Sequence, residues 1–154
     1  MIKHIKGDIF QSDADVILHQ VNCMGVMGSG VAKQVREKYP WVFGEYKRIC
    51  DEARKLPKGT ESLLGVTQFV FINETKQIGN LFAQNHFGSD KCYSDYDALK
   101  KCLLYVDKKF KGKKVAIPYL MSCCRGGGNW DVVYKIIEET LTSCDVTLYE
   151  YNGG

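Results

Sequence analysis

The chain of 154 residues is short of several things: it has three prolines, no low-complexity tract, and no apolar run approaching the roughly 20 residues that a bilayer-spanning helix needs. Without biased tracts the chain has no composition for disorder. Without a long apolar run it has no candidate membrane helix, so the reading is a soluble, cytoplasmic protein; a monomer is expected. Charge of neither sign dominates either. Twenty-one Lys and Arg against 18 Asp and Glu leave a net +3, compatible with a phosphate-bearing ligand but too weak to predict a nucleic-acid groove. The lysines between Lys108 and Lys114 read as a solvated helix end, where cations are favoured by the helix dipole.

Motif absences narrow the function further. No glycine loop ends in GKS or GKT, no GxGxxG follows the first strand, and there is no GxSxG elbow, which disfavours nucleoside-triphosphatases, ordinary dehydrogenases and serine hydrolases of the usual type. Seven cysteines, an odd number without paired zinc-like spacing, suit reduced thiols better than a disulfide framework. No metal site and no cofactor is predicted; adjacent Cys123 and Cys124 read as loop-lining residues.

What is present is an alternation of strands and helices. Apolar and β-branched runs predict strands at Ile2 to Lys6, Val16 to Val21, Gly65 to Ile72, Gln77 to Ala83, Lys114 to Tyr119 and Val146 to Tyr151. Val31, Val35 and Tyr39 recur at helical spacing until Pro40 stops the pattern, and a second helix covers Val42 to Lys55 with Val42, Tyr46 and Ile49 inward. Asn73-Glu74-Thr75 reads as a hairpin loop. Ser94 is read as the N-cap of a helix whose stripe is Tyr96, Leu99, Leu103 and Val106, and Trp130 to about Thr142 forms the last. The pattern predicts one layered α/β domain with a largely parallel sheet, whose ligands belong beyond the carboxyl ends of the strands.

Two glycine-rich loops sit at strand-to-helix junctions: Asn22 to Gly30 and Ser122 to Gly128. Glycine lets backbone amides approach an anion closely, and the helix that follows adds unpaired N–H groups and a positive dipole end. Two such loops in one small domain suggest a pyrophosphate cradle.

The segments GDIF, ADVILHQVNCMGVMGSGVAKQV and IPYLMSCCRGGGNW, in that order, resemble the macrodomain family over essentially the whole chain, nearest the branch of the terminal ADP-ribose glycohydrolase and the yeast ADP-ribose-1″-phosphate phosphatase. The resemblance implies a three-layer α/β/α sandwich with a mixed six-stranded sheet. It also implies a ligand: ADP-ribose or a derivative, ADP-ribosylated protein among them. By the same resemblance Asp8 accepts from the adenine amino group and Ile9 offers a neighbouring amide, while Gln20 and Asn22 lie at the ligand and Asn22 turns both amide groups to the distal ribose. Gly28, Ser29, Gly30 and Val31 form the first phosphate loop. Ser122, Cys123, Cys124, Arg125, Gly126 and Gly127 form the second, with Trp130 packed beneath it.

For catalysis the chain departs from its kin. Where the glycohydrolase branch carries a lysine and an aspartate it has Gln84 and Gly126, and where another hydrolase branch carries an aspartate it has Ala32. Neither glutamine nor glycine can form an imine or move a proton. His19 and Asn22 remain as catalytic candidates, His19 as general acid or as the residue that orients Asn22. His86 and Asp90 are candidates to close over the distal ribose. The expectation is a hydrolase of ADP-ribosylated protein, ADP-ribose-1″-phosphate or O-acetyl-ADP-ribose, with a non-catalytic ADP-ribose reader as the alternative.

Overall fold

A computed structural model describes residues 2–87, 92–123 and 128–151. The chain runs β1 (Lys3–Lys6), β2 (Val16–Asn22), α1 (Gly30–Lys38), α2 (Pro40–Ala53), β3 (Thr67–Phe71), β4 (Gln77–Gln84), α3 (Tyr96–Lys109), β5 (Lys114–Pro118), α4 (Trp130–Thr140) and β6 (Asp145–Glu150). Short 3-10 turns at Ile9–Gln11 and Gly59–Leu63 complete it. The six strands form one sheet in the order β1-β6-β5-β2-β4-β3. Every pairing is parallel except that of β3 with β4. The expected mixed six-stranded α/β sandwich is therefore the observed one.

Alternation along the strands builds the layers. Val16 and Leu18 of β2 and Leu81 and Ala83 of β4 pack with Leu99, Leu103, Val133 and Ile137 from α3 and α4. Ile17, Val21, Ile78 and Phe82 face the other way, against Val35, Val42, Tyr46 and Cys50 from α1 and α2. The polar exceptions on these buried strands, His19, Asn22, Asn80 and Gln84, are what the site is made from.

Three local expectations are corrected. Pro40 does not merely end a helix: Tyr39 closes α1, and Pro40 opens α2 at its first position, where a missing N–H costs nothing and the fixed φ is already helical. The inward face of α2 is completed by Cys50 and Ala53. The cap of α3 is Asp95, whose Oδ1 accepts from the Ala98 amide at 3.0 Å, and not Ser94. Ser94 is instead drawn into the site, where its hydroxyl donates to the Ser122 carbonyl at 3.0 Å. No helix among the described residues is long and apolar enough to cross a membrane.

Candidate functional site

A cavity of about 540 Å³ opens at the carboxyl edge of the sheet, bounded by the ends of β2, β4 and β5 and by the start of α1. Its wall includes Gln20, Asn22, Gly28 to Ala32, Gln84 and Pro118 to Ser122. No Asp, Glu, Lys or Arg stands among the described lining residues.

The start of α1 supplies the strongest polar feature. Ser29 occupies the cap position in extended backbone and makes no side-chain capping bond, no acidic residue stands in the first turn, and Lys33 N donates to Ser29 O at 3.2 Å. By helix geometry the amides of Gly30, Val31 and Ala32 have no intrahelical acceptor. Gly30 itself has φ +59°, a left-handed conformation that a side chain would strain. Three amides without an intrahelical acceptor, at the positive end of a helix dipole, thus border the cavity, a natural seat for an anion.

Asn22 anchors the loop that presents them. Its Oδ1 accepts from Met24 N at 3.0 Å and its Nδ2 donates to Val26 O at 2.9 Å. The buried Tyr46 hydroxyl of α2 stands 2.7 Å from the Asn22 carbonyl and 2.8 Å from Oδ1, and Arg54 donates to the Met24 carbonyl. This corrects the expectation that both amide groups of Asn22 are free for sugar hydroxyls. The oxygen is spent inside the loop, and among the described residues one Nδ2 hydrogen is left to face the cavity. The adjacent Cys23 thiol, pushed up to about 12 by burial, stays protonated and is no nucleophile. The described cysteines are free thiols, and no metal-holding cluster of His, Cys, Asp or Glu occurs among the described residues.

His19 borders the cavity but is only 2% exposed. Its ring faces Asn80, its direct neighbour on β4; Nε2 lies 2.5 Å from Asn80 Oδ1. Asn80 Nδ2 in turn donates to Gln68 Oε1 at 3.0 Å; with the Asn80 amide in that orientation, Nε2 carries the hydrogen. Nδ1 is left as a buried acceptor with no partner among the described residues. Burial holds the imidazole neutral, lowering its pKa to about 4, the Asn80 bond opposing weakly. Two readings change: His19 makes no bond to Asn22, which Tyr46 orients instead, and a neutral imidazole cannot act as general acid near neutral pH, though it can accept a hydrogen bond.

A second network closes the other side. Gln20 Nε2 donates to Gln84 Oε1 at 2.7 Å and to Ser94 Oγ at 2.9 Å, while Gln20 Oε1 accepts from Ser122 Oγ. Gln84 Nε2 donates to the His86 carbonyl at 2.8 Å. Both glutamines are therefore consumed in joining β2 and β4 to the loop after β5, and Gln20 acts on a ligand through the loop it holds. Ser122 sits at φ +74°, an uncommon backbone for a non-glycine residue. Cys123 is half-buried with its thiol toward the Met121 carbonyl. The expected ligand residues Cys124, Arg125, Gly126 and Gly127, and Asp90, lie outside the described residues. Trp130 packs edge-on against Tyr119, ring centroids 5.3 Å apart, and rests on the core cluster of α3 and α4.

Asp8 and Ile9 do not line the cavity. Asp8 follows β1 at the same carboxyl edge of the sheet, two strands beyond β5. It is exposed, with one carboxylate oxygen accepting from Phe10 N at 2.9 Å. His86 is exposed and its ring is not in the wall. Tyr46, Asn80, Ser94 and Phe87 belong to the site or its supports without having been read from the sequence. A polar residue in the middle of an apolar strand was the available signal for Asn80. Tyr46 looks like any core aromatic until its hydroxyl finds a loop.

No protein-family model matches the chain. It is 29% identical, over its full length, to a DNA ADP-ribosyl glycohydrolase of Mycobacterium tuberculosis, covering 43% of that protein. It is 35% identical over 53% of its length to an ADP-ribose 1″-phosphate phosphatase of Scheffersomyces stipitis, covering 48% of it. The chain thus spans less than half the length of these curated relatives. Among solved structures, the macrodomain of Mycobacterium tuberculosis DarG superposes with a TM-score of 0.75 at 26% identity, covering 97% of both chains.

Proposed function

We propose that the chain is a macrodomain whose cavity binds ADP-ribose and hydrolyses ADP-ribosyl derivatives, a reading supported by its likeness to the relatives above. The observation that carries this reading is the start of α1, where amides without an intrahelical acceptor and without an acidic residue in the first turn border a cavity of about 540 Å³, large enough for a nucleotide sugar. The diphosphate seats on Gly28 to Val31 and on the loop from Ser122. The adenine amino group reaches toward Asp8, which keeps one carboxylate oxygen for it, and the distal ribose lies toward Asn22 and Gln84. Relatives named for glycohydrolase and phosphatase activity support hydrolysis.

Within that reading the chain's own groups bind and orient more than they react. The second Nδ2 hydrogen of Asn22 donates to a ribose hydroxyl, and helix amides hold charge on the diphosphate oxygens. A second reading, a reader that binds without turnover, is favoured by the lack of any charged side chain among the described lining residues. The chain acts as a monomer in the cytoplasm in either case.

Calorimetry with ADP-ribose, repeated on Asp8→Ala, tests binding; undiminished affinity in the variant would reject the adenine assignment. Turnover assays on ADP-ribosylated protein, ADP-ribose-1″-phosphate and O-acetyl-ADP-ribose then separate enzyme from reader. Tight binding with no product in any assay leaves the reader.

A further inference from the structure

Side chains hold the first loop almost alone. Among the described residues no backbone-to-backbone hydrogen bond occurs from Met24 to Gly28, between the Cys23 amide that donates to Asn85 O and the Ser29 carbonyl that accepts from Lys33 N. The stretch turns through Gly25 at φ +84°, and a glycine does not hold its own conformation, because both signs of φ are open to it. Three side chains fix the loop's polar groups instead. Asn22 Oδ1 accepts from Met24 N and its Nδ2 donates to Val26 O. The Tyr46 hydroxyl accepts from Val26 N at 3.2 Å, and Arg54 Nη2 donates to the Met24 carbonyl.

Arg54 differs from the other two. Asn22 and Tyr46 are buried, whereas Arg54 is the C-cap residue of α2 and its side chain is 45% exposed. Tyr46, Cys50 and Arg54 stand four residues apart and form one stripe at that end of α2. The loop lies along this stripe: a β-carbon on Gly25 would stand 3.7 Å from Cys50 Cβ and 3.8 Å from Arg54 Nη2. The guanidinium is also braced. Its Nη1 donates to Asp51 Oδ1, and Asp51 Oδ2 accepts from Lys47 Nζ at 2.9 Å. The planar fork of an arginine donates to a carboxylate and a carbonyl at once in a fixed geometry. Because the peptide unit is planar, holding the Met24 carbonyl also holds the amide of Gly25, and removes the rotation that a glycine leaves loose.

We propose that Arg54 is a positioning residue for the anion seat: through the Met24 carbonyl it keeps the first loop in the one conformation that turns the α1 amides toward the diphosphate. The proposal rests on the ADP-ribose reading of the cavity. Arg54 itself is not in the cavity wall, so it acts through the loop and touches no ligand.

The test measures ADP-ribose affinity by calorimetry, with melting curves and proton–nitrogen NMR spectra of the free protein, for wild type, Arg54→Ala, Asp51→Asn and Arg48→Ala. Arg48 is the control: it pairs with Glu45 and Glu52 on the same helix at 3.0 and 3.1 Å and makes no hydrogen bond to the loop among the described residues. Arg54→Ala is expected to weaken ADP-ribose binding by about fivefold, the upper scale of an exposed charged contact, with a melting temperature near that of wild type. The amide resonances of Gly25, Val26 and Gly30 move in the free variant. Asp51→Asn, which removes the brace and leaves the guanidinium, moves the same resonances and weakens binding by a smaller factor. Arg48→Ala changes neither. Unchanged affinity in Arg54→Ala, or an equal loss in Arg48→Ala, overturns the positioning role while leaving the ADP-ribose cavity standing. Absence of ADP-ribose binding by the wild type overturns both.

Discussion

Gly128 lies so close to Ser122 that its amide donates to the Ser122 carbonyl at 2.7 Å, and a β-carbon at 128 would stand 2.6 Å from that same oxygen. The contact joins the end of the second loop to its beginning, across the segment from 124 to 127. Gly128→Ala must push the Ser122 backbone away, at a cost of about 1 to 3 kcal/mol. Loss of ADP-ribose affinity together with a lower melting temperature is expected; an unchanged protein would show that the loop tolerates the shift.

Gly28 presents the opposite case. The nearest group to a β-carbon there is a Val26 methyl at 3.6 Å, an ordinary contact. Gly28→Val should therefore leave thermal stability within about 0.5 kcal/mol of wild type, as for a substitution that meets no packed neighbour. Its side chain occupies the approach to the α1 amides, so ADP-ribose affinity should fall at least tenfold. Calorimetry beside a melting curve reads both, and retained affinity would argue against the cradle.

Tyr46→Phe removes a hydroxyl from Asn22 and Val26 while the ring keeps its stacking on Phe82, centroids 5.6 Å apart. Leaving the Asn22 carbonyl without its buried donor costs about 1 to 3 kcal/mol. Because the same hydroxyl sets the first loop, ligand affinity should weaken as well. Denaturant midpoints and calorimetry distinguish this from a purely structural loss, in which affinity stays constant.

His19 makes stability depend on pH. Its folded pKa of about 4 lies below the ordinary 6.5, so between those values the unfolded chain binds the proton that the folded one excludes. Stability is fully present above about pH 6.5 and is lost as pH falls toward 4. The loss is of the order of 3 kcal/mol at one pKa unit per 1.36 kcal/mol. Urea midpoints of wild type and His19→Gln across this window check it: the variant should show a shallower slope, and parallel curves would remove His19 as the cause. Asn80→Asp, which sets a carboxylate against Nε2, should raise the imidazole pKa in an NMR titration.

The alternation of strands and helices was legible because period-two and period-3.6 patterns reflect which side chains meet water, a local property. The first glycine loop was legible for a related reason, since Gly25 and Gly30 take left-handed backbone that a residue with a β-carbon adopts only under strain. Pro40 was misread because a proline that ends one helix and one that begins the next look alike in sequence; only the direction of the following chain separates them. Ser94 and Asp95 are both good caps, and the choice between them was made by Gln20 and Ser122, which are distant in the chain.

The amino-acid order by itself determined an α/β sandwich and a glycine-bearing loop that leads into α1 at its carboxyl edge. What only the tertiary structure decided is which polar groups remain available to a ligand. Asn22 is largely consumed by Tyr46 and its own loop, Gln20 and Gln84 are consumed by each other and by Ser94 and Ser122, and His19 is turned to Asn80 and kept neutral. Hydrogen bonding is a competition among every donor and acceptor brought within about 3 Å. Which of them come that close is a property of the folded chain, not of neighbours in the sequence.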